Sequence, residues 1–437
     1  MSFTTDFYDI SDLMLEAQVE AEGVAFEPLA RGGVTSARGF SAAGVAGGFR
    51  ENEPERLDLA LIRSETVARC AGMFTRNEFF AAPVAVCRAH AAAGSARGVI
   101  VNSGRANAAT GTVGLGNAEE MARMGAEAIG CLPEEVLIAS TGVIGQQLRM
   151  DKLSDAVDEA GRNASPDGGH DAACAIMTTD THPKEFAVSW QSKDPSFAGT
   201  TFTVGGMAKG SGMIMPNMAT MIAVIATDAP LGQTACRQAL HPAVDTSFNR
   251  VTVDGDSSTN DTCLLLANGA AVEGTGAGWI EPGSRAYAEA AAAIKLVCTT
   301  LARAMAADGE GATKLVTIHV KGAENDGQAE AAARTVANSE LVKTAIFGHD
   351  ANWGRVAAAI GRSGAHMDQT RISIDFLGIR VFDRGLPAPF DEERMLGLFE
   401  DDEILISVDL ALGNGEATIW TCDLSHEYIT INGSYRS

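Results

Sequence analysis

Between Lys209 and Ala229 the chain reads KGSGMIMPNMATMIAVIATDA, and the two halves of that stretch make opposite demands. Gly210 and Gly212 allow backbone angles that other residues avoid, and Pro216 fixes the chain just before the texture changes. From Thr220 the run TMIAVIAT is β-branched and unbroken by charge, the pattern of a strand buried on both faces. Such a strand needs an interior around it, so the rest of the chain reads as its scaffold. Thr220 stands at the loop-to-strand junction.

Two readings of Thr220 follow. Threonine is a favoured strand residue, so it can be simply the first residue of a core strand. It can also attack the carbonyl of Ala219, pass through an ester by an N-to-O acyl shift, and emerge as a new N-terminus. A threonine hydroxyl is a weak nucleophile that needs an adjacent base, and the α-amine of an N-terminal threonine supplies one. Magnitudes favour that amine over Lys209 as the base. With a pKa of about 7.8, the amine is roughly 14% free base at pH 7, against about 0.04% for an ordinary lysine. Lys209 serves better as a cation.

The length, 437 residues, points to two or three domains. A formal charge of −23 argues against nucleic acid or an anionic membrane as partner. The eight cysteines are dispersed without a CxxC pair, and the eight histidines show no HExxH or HxxxH spacing, so no metal site is expected. No run of 18 apolar residues occurs, and the acidic start MSFTTDFYDISDLMLEAQVE lacks a signal-peptide pattern, so the expectation is a cytoplasmic enzyme.

In chain order, residues 1 to about 30 read as an extension with helical character around Leu13 to Val19, of the kind that can serve as a docking segment. Strands are expected at Leu57–Ile62, Val67–Thr75, Val99–Val101 and Val136–Ala139, with a helix from Asn117 to Ile129 between the last two. Helices near 152–162 and 170–177 precede the polar cluster TTDTHPKE, and strands EFAVSW and TTFTVGGMA then deliver the chain to the central loop. After the central strand come a helix at 233–247, a short strand RVTVD, helices at 261–272 and 284–307, and a strand LVTIHV. Alternating strands and helices indicate a mixed α/β architecture whose function gathers at strand ends. Beyond about residue 323 a helix at 327–337 and four strands form a smaller β-rich unit. The turn GDSSTND, from Asp254, begins like a calcium loop but has Thr259 where glycine is required and Leu265 where glutamate is required. There is no GxxxxGK[ST] loop and no GxSxG elbow, and Ser211 in KGSG lacks an identifiable base.

Taken in order, KGSGMIMPNMATM, VNSGRANAATG, ASTGVIG, IMTTDT, ADGEGATK, NWGR and the terminal N-x-x-Y-R-S resemble the ornithine acetyltransferase (glutamate N-acetyltransferase) family of the cyclic arginine pathway, from about Gly32 to Ser437. The resemblance implies a layered α/β/β/α core and self-cleavage between Ala219 and Thr220, giving an α chain (31–219 after the extension) and a β chain (220–437). The two would stay associated, as a heterotetramer of two α and two β chains. It implies that the acetyl group passes from N2-acetylornithine to Thr220 and then to glutamate without a cofactor, with acetyl-CoA a co-substrate in some members. Carried over by motif, Thr220 is the nucleophile, Thr141 and Gly142 are the oxyanion donors, and Thr178, Lys209, Glu310, Asn432 and Ser437 contact substrate. Read without the family, Thr141–Gly142 is an ordinary turn, Thr178 a helix-end cap, Lys209 a solvated cation and Glu310 an exposed turn acid. The chain departs from the family pattern at Met215, where histidine is usual before the proline, in the tail INGSYRS, and in its first 30 residues. The nearest alternatives are an N-terminal-nucleophile aminopeptidase or amidase that passes the acyl group to water, a secondary-metabolite paralogue, and a processed but inactive binding protein.

Overall fold

The structure is a computed structural model that describes residues 4–50, 52–215 and 221–434. Two compact units result: the first runs to Asn249 and resumes over Asp256–Met305, and the second comprises Arg250–Gly255 and the described chain from Ala306 onward. The architecture is mixed α+β.

The first unit is built on nine strands: β1 (Glu27–Pro28), β2 (Phe40–Val45), β3 (Leu59–Phe74), β4 (Ser95–Asn102), β5 (Val136–Ser140), β6 (Lys184–Gln191), β7 (Thr201–Lys209), β8 (Ile222–Thr227) and β9 (Thr262–Ala267). Their order is β1-β6-β7-β8-β9-β3-β4-β5, with β2 also on β3. Two pairs are parallel, β4 with β5 and β8 with β9. Each needs a crossover, supplied by helices Gly111–Ile129 and Gln233–Asp245. Every residue of β8 is buried, as the apolar run TMIAVIAT requires.

Several expected elements differ from those observed. The two strands expected at 57–62 and 67–75 are one 16-residue strand, β3, whose register shifts between Arg63 and Ala68. Its residues Glu65, Thr66 and Val67 are exposed at that irregularity, while the flanking halves pair with different neighbours, β2 and β9. The helix expected at 261–272 is a strand: TCLLLA forms β9, buried throughout between β8 and β3. An apolar run covered on both faces carries no periodicity, and only its neighbours settle its conformation. RVTVD forms no strand beyond a single bridge from Val251 to Trp420.

The helix Arg285–Ala307 is long and apolar enough to cross a membrane, yet 78% of its apolar window is buried inside the protein. Its Leu301 side chain, together with the closer Ile225 of β8, crowds the space that a side chain at Gly206 of β7 would need. The N-terminal extension is docked on the first unit. Phe26 packs edge-on against Trp190, and β1 pairs with β6.

The second unit holds six strands in the order Leu386–Pro387, Ile379–Asp383, Ser373–Phe376, Glu403–Asp409, Leu315–Ala323, Gly415–Cys422. Leu315–Ala323 lies inside this sheet, paired on both sides, so the unit begins before it and not at about 323. Helix Asp326–Ala337 covers Leu315–Ala323 and Gly415–Cys422. The tail also forms a helix, His426–Ser434.

Candidate active site

The parallel strands β4 and β5 end side by side at Asn102 and Ser140. There the Ser140 hydroxyl donates to Asn102 Oδ1 at 2.5 Å, and the Thr141 N–H donates to the Asn102 carbonyl at 2.9 Å. The turn that follows has Gly142 at φ +121°. A Cβ there would stand 2.3 Å from the Gly104 carbonyl carbon and 2.7 Å from the Arg105 nitrogen, so only glycine fits. Within this frame the Thr141 hydroxyl and the Gly142 N–H form no hydrogen bond with any described residue. Two donors at a strand-end turn, Thr141 buried and Gly142 half-buried, are left unspent, the provision that a developing oxyanion needs.

Lys209, the last residue of β7, pairs with Ile222 of β8 and is 2% exposed. It is a buried strand-end cation, not a solvated loop residue. Asp180, also buried, accepts the Gly210 N–H at 2.7 Å, the Thr178 N–H at 2.9 Å and Lys184 Nζ at 2.7 Å. Burial by itself pushes the Asp180 carboxyl up. The charges of Lys184 and Lys209 and the hydrogen bonds from Lys184 and Thr178 outweigh it and hold the carboxyl well below its usual range. Thr178 thus hangs on an ionised carboxylate that also fixes the chain after Lys209, and its own carbonyl accepts from Arg56 at 2.8 Å. Ser211 is fully buried.

The turn that failed as a calcium loop has another task. Asn260 Nδ2 donates to the carbonyls of Ser140 (2.8 Å) and Ala106 (2.7 Å), binding together the loops that frame Gly142. The next residue, Asp261, accepts the Met221 N–H at 3.0 Å, while the Thr262 N–H donates to the Met221 carbonyl at 3.0 Å. Met221 is therefore held from both sides, one residue after Thr220. Sequence reasoning missed Asn260 and Asp261. The available signal was two short polar residues immediately before a fully apolar strand, where their backbones are fixed and their side chains must find buried partners.

In the second unit Glu310 is 6% exposed, not a surface turn acid, and it accepts Asn432 Nδ2 at 2.7 Å. The tail helix is docked on the glycine-rich turn: the Ser425 hydroxyl donates to the Gly311 carbonyl at 2.5 Å, and Asp423 takes the N–H groups of Thr313 and Lys314. Two candidate substrate residues, 122 positions apart, are thereby brought together. Ala219, Thr220 and Ser437 lie outside the described residues.

All eight cysteines are free. Burial pushes the thiol of Cys70 up to about 11 and those of Cys87, Cys236 and Cys298 up to about 12. None of these four is a thiolate nucleophile near neutral pH.

The chain is similar to known proteins along most of its length. Residues 41–437 match the ArgJ family. The arginine biosynthesis bifunctional protein ArgJ of Symbiobacterium thermophilum is 48% identical over 406 residues, 93% of this chain and 99% of its own length. Among solved structures, arginine biosynthesis bifunctional protein argJ from Bacillus halodurans is 39% identical with a TM-score of 0.46, covering 48% of this chain and 98% of that one. Ornithine acetyltransferase from Mycobacterium tuberculosis, complexed with ornithine, is 38% identical with a TM-score of 0.39, covering 44% of this chain and 98% of that one. A match running from β2 to the last residue, with a curated relative aligned along nearly all of its length, is decisive: the chain belongs to the ArgJ family.

Proposed function

We propose that this protein is a self-cleaving glutamate N-acetyltransferase of arginine biosynthesis. Cleavage between Ala219 and Thr220 frees the α-amine of Thr220, which takes the proton of its own hydroxyl as that oxygen attacks the acetyl carbonyl of N2-acetylornithine. The negative charge that develops on the carbonyl oxygen falls to the Thr141 hydroxyl and the Gly142 N–H. Ornithine leaves with a proton, the acetyl group stays as an ester on Thr220, and the amine of glutamate takes it in the second half-reaction. The exchange needs no cofactor, and acetyl-CoA would enter as an alternative acyl donor to the same threonine.

In this reading Thr178 and Lys209 position substrate. Glu310 offers a carboxylate suited to the ammonium of ornithine, with Asn432 orienting it and Ser437 at the chain end supplying a further hydroxyl. Two α and two β chains form the working particle, in the cytoplasm, where amino-acid precursors are made. The acidic balance of the chain supports small-molecule partners over nucleic acid or membrane.

The observation that carries the reading is the pair of unspent donors at Thr141 and Gly142, in a chain of this family that keeps threonine after Ala219. The test is intact mass under denaturing conditions beside a Thr220→Ala variant, followed by transfer of labelled acetyl from N2-acetylornithine to glutamate. Two fragments meeting at Ala219 and Thr220, an uncut variant, and labelled N-acetylglutamate are expected. A single chain of 45.4 kDa in the wild type would remove the α-amine from the mechanism. Release of free acetate without exchange would make the protein a hydrolase.

A further inference from the structure

Asp261 lies outside the nucleophile, the donor pair and the substrate contacts, yet it is fully buried and tied to the residue that follows Thr220. Its Oδ1 accepts the Met221 N–H at 3.0 Å, and its backbone carbonyl accepts the Thr75 N–H at 3.0 Å. Among the described residues its buried Oδ2 has no partner of good hydrogen-bond geometry, the Thr75 hydroxyl being the side chain that adjoins the carboxyl. An ionised carboxylate with one bare buried oxygen is costly, whereas a protonated one has an O–H to donate. The adjoining acceptor is the Thr75 hydroxyl, whose own proton goes to the Ser258 carbonyl at 2.8 Å. Lys209 is the cation whose charge acts on Asp261, and that charge is already matched by Asp180, which is held ionised. Burial leaves the Asp261 carboxyl well above its ordinary range, in spite of Met221, Thr75 and Lys209.

We propose that Asp261 is a positioning residue for this site, acting as a neutral acid that holds the Met221 amide, and so the peptide following Thr220, in register with the donor turn. Asn260 supplies the other half of the device, because the same two-residue step that places Asp261 on Met221 places Asn260 on the Ser140 carbonyl, one residue before Thr141. Nucleophile and oxyanion donors come from strands distant in sequence, and this pair is a direct polar link between them. A misplacement of about 1 Å in such an arrangement can cost about a hundredfold in rate.

The proposal rests on the acetyltransferase reading, and Asp261→Asn is the deciding variant. It keeps an acceptor at Oδ1, replaces the O–H by an N–H donor and lacks only ionisation. It is expected to fold, to be cut between Ala219 and Thr220, and to keep kcat within about threefold of wild type with an unaltered pH profile. Asp261→Ala is expected to lose about a hundredfold in kcat and in the rate of cutting, with KM little changed. An Asn variant that fails to fold, or that falls as far as the Ala variant, overturns the neutral-acid role. An Ala variant with wild-type kcat overturns the positioning role. If the Ala variant does not fold, rescue of kcat and of the pH profile by Asn carries the decision. The wild type run alongside separates the two failures: if it is cut but exchanges no acetyl group, the transferase reading falls and Asp261 is judged on the cutting rate alone.

Discussion

Gly142 and Gly145 both sit in the left-handed region, at φ +121° and +84°, but only one of them is hemmed in. A methyl group at Gly142 would drive into the Gly104 carbonyl and the Arg105 nitrogen, whereas at Gly145 it would meet nothing within 4 Å. Gly142→Ala must therefore displace the turn and with it the N–H proposed to bind the oxyanion. Loss of one such donor is worth about 2.7–4 kcal/mol, so kcat for acetyl exchange should fall by about 10² to 10³ with KM nearly constant. Gly145→Ala carries only backbone strain, about 1–2 kcal/mol, and should lower the melting temperature while sparing kcat. Steady-state kinetics of the two variants side by side distinguish a donor turn from an ordinary tight turn, and equal effects on kcat would count against the donor assignment.

The segment Thr178–Lys184, between helix Gly169–Ala175 and β6, is organised around a buried ion pair. Asp180 and Lys184 are both fully buried and 2.7 Å apart. Lys184→Ala leaves a carboxylate in the interior with Lys209 as its remaining counter-charge, and breaking a buried pair in this way typically costs about 3–5 kcal/mol. The folded-state pKa of Asp180 is lowered, so its stabilising contribution is complete above the usual carboxylate range and is lost as pH falls through and below that range. The gap in melting temperature between wild type and Lys184→Ala should thus be wide at pH 7 and close as the pH drops below about 4. A constant gap across that range would mean that the pair does not stabilise the fold through its charges. The same segment shows what sequence could and could not disclose. Strand β6 and the helices around it follow from hydrophobic pattern, and the motif residues Thr178 and Lys209 were legible by resemblance. That Lys209 is buried was not, because a lysine beside glycines reads as a loop cation until its neighbours Asp180 and Asp261 are known. Likewise the conformation of TCLLLA was undetermined along the chain, since a run buried on both faces shows no period, and Asn260 and Asp261 depended on contacts with residues 154 or more positions away, Ala106 and Thr75.

At the scale of the whole molecule, the proposed cut falls where the sheet makes separation of the products difficult. After cleavage, β1 to β7 belong to the fragment ending at Ala219, and β8 and β9 to the fragment beginning with Thr220. In the sheet β8 pairs with β7, and β9 pairs with β3, so the two strands of the second fragment are enclosed between strands of the first. Parting the fragments would expose both edges of this pair together with the fully buried side chains of Ile222–Thr227 and Thr262–Ala267. Unpaired edges with apolar faces are strongly disfavoured in water. Cleavage should therefore leave a permanent complex and not two diffusing proteins. Under native conditions the cut protein should elute as a single species that persists on dilution into the nanomolar range, with a mass that is a multiple of 45.4 kDa, while denaturant resolves it into two polypeptides. Amides of β8 and β9 should exchange hydrogen as slowly as those of β3 and β7, since all four would open only with the first unit as a whole. Fragments that separate on simple dilution, or fast exchange confined to β8 and β9, would contradict the enclosed pairing.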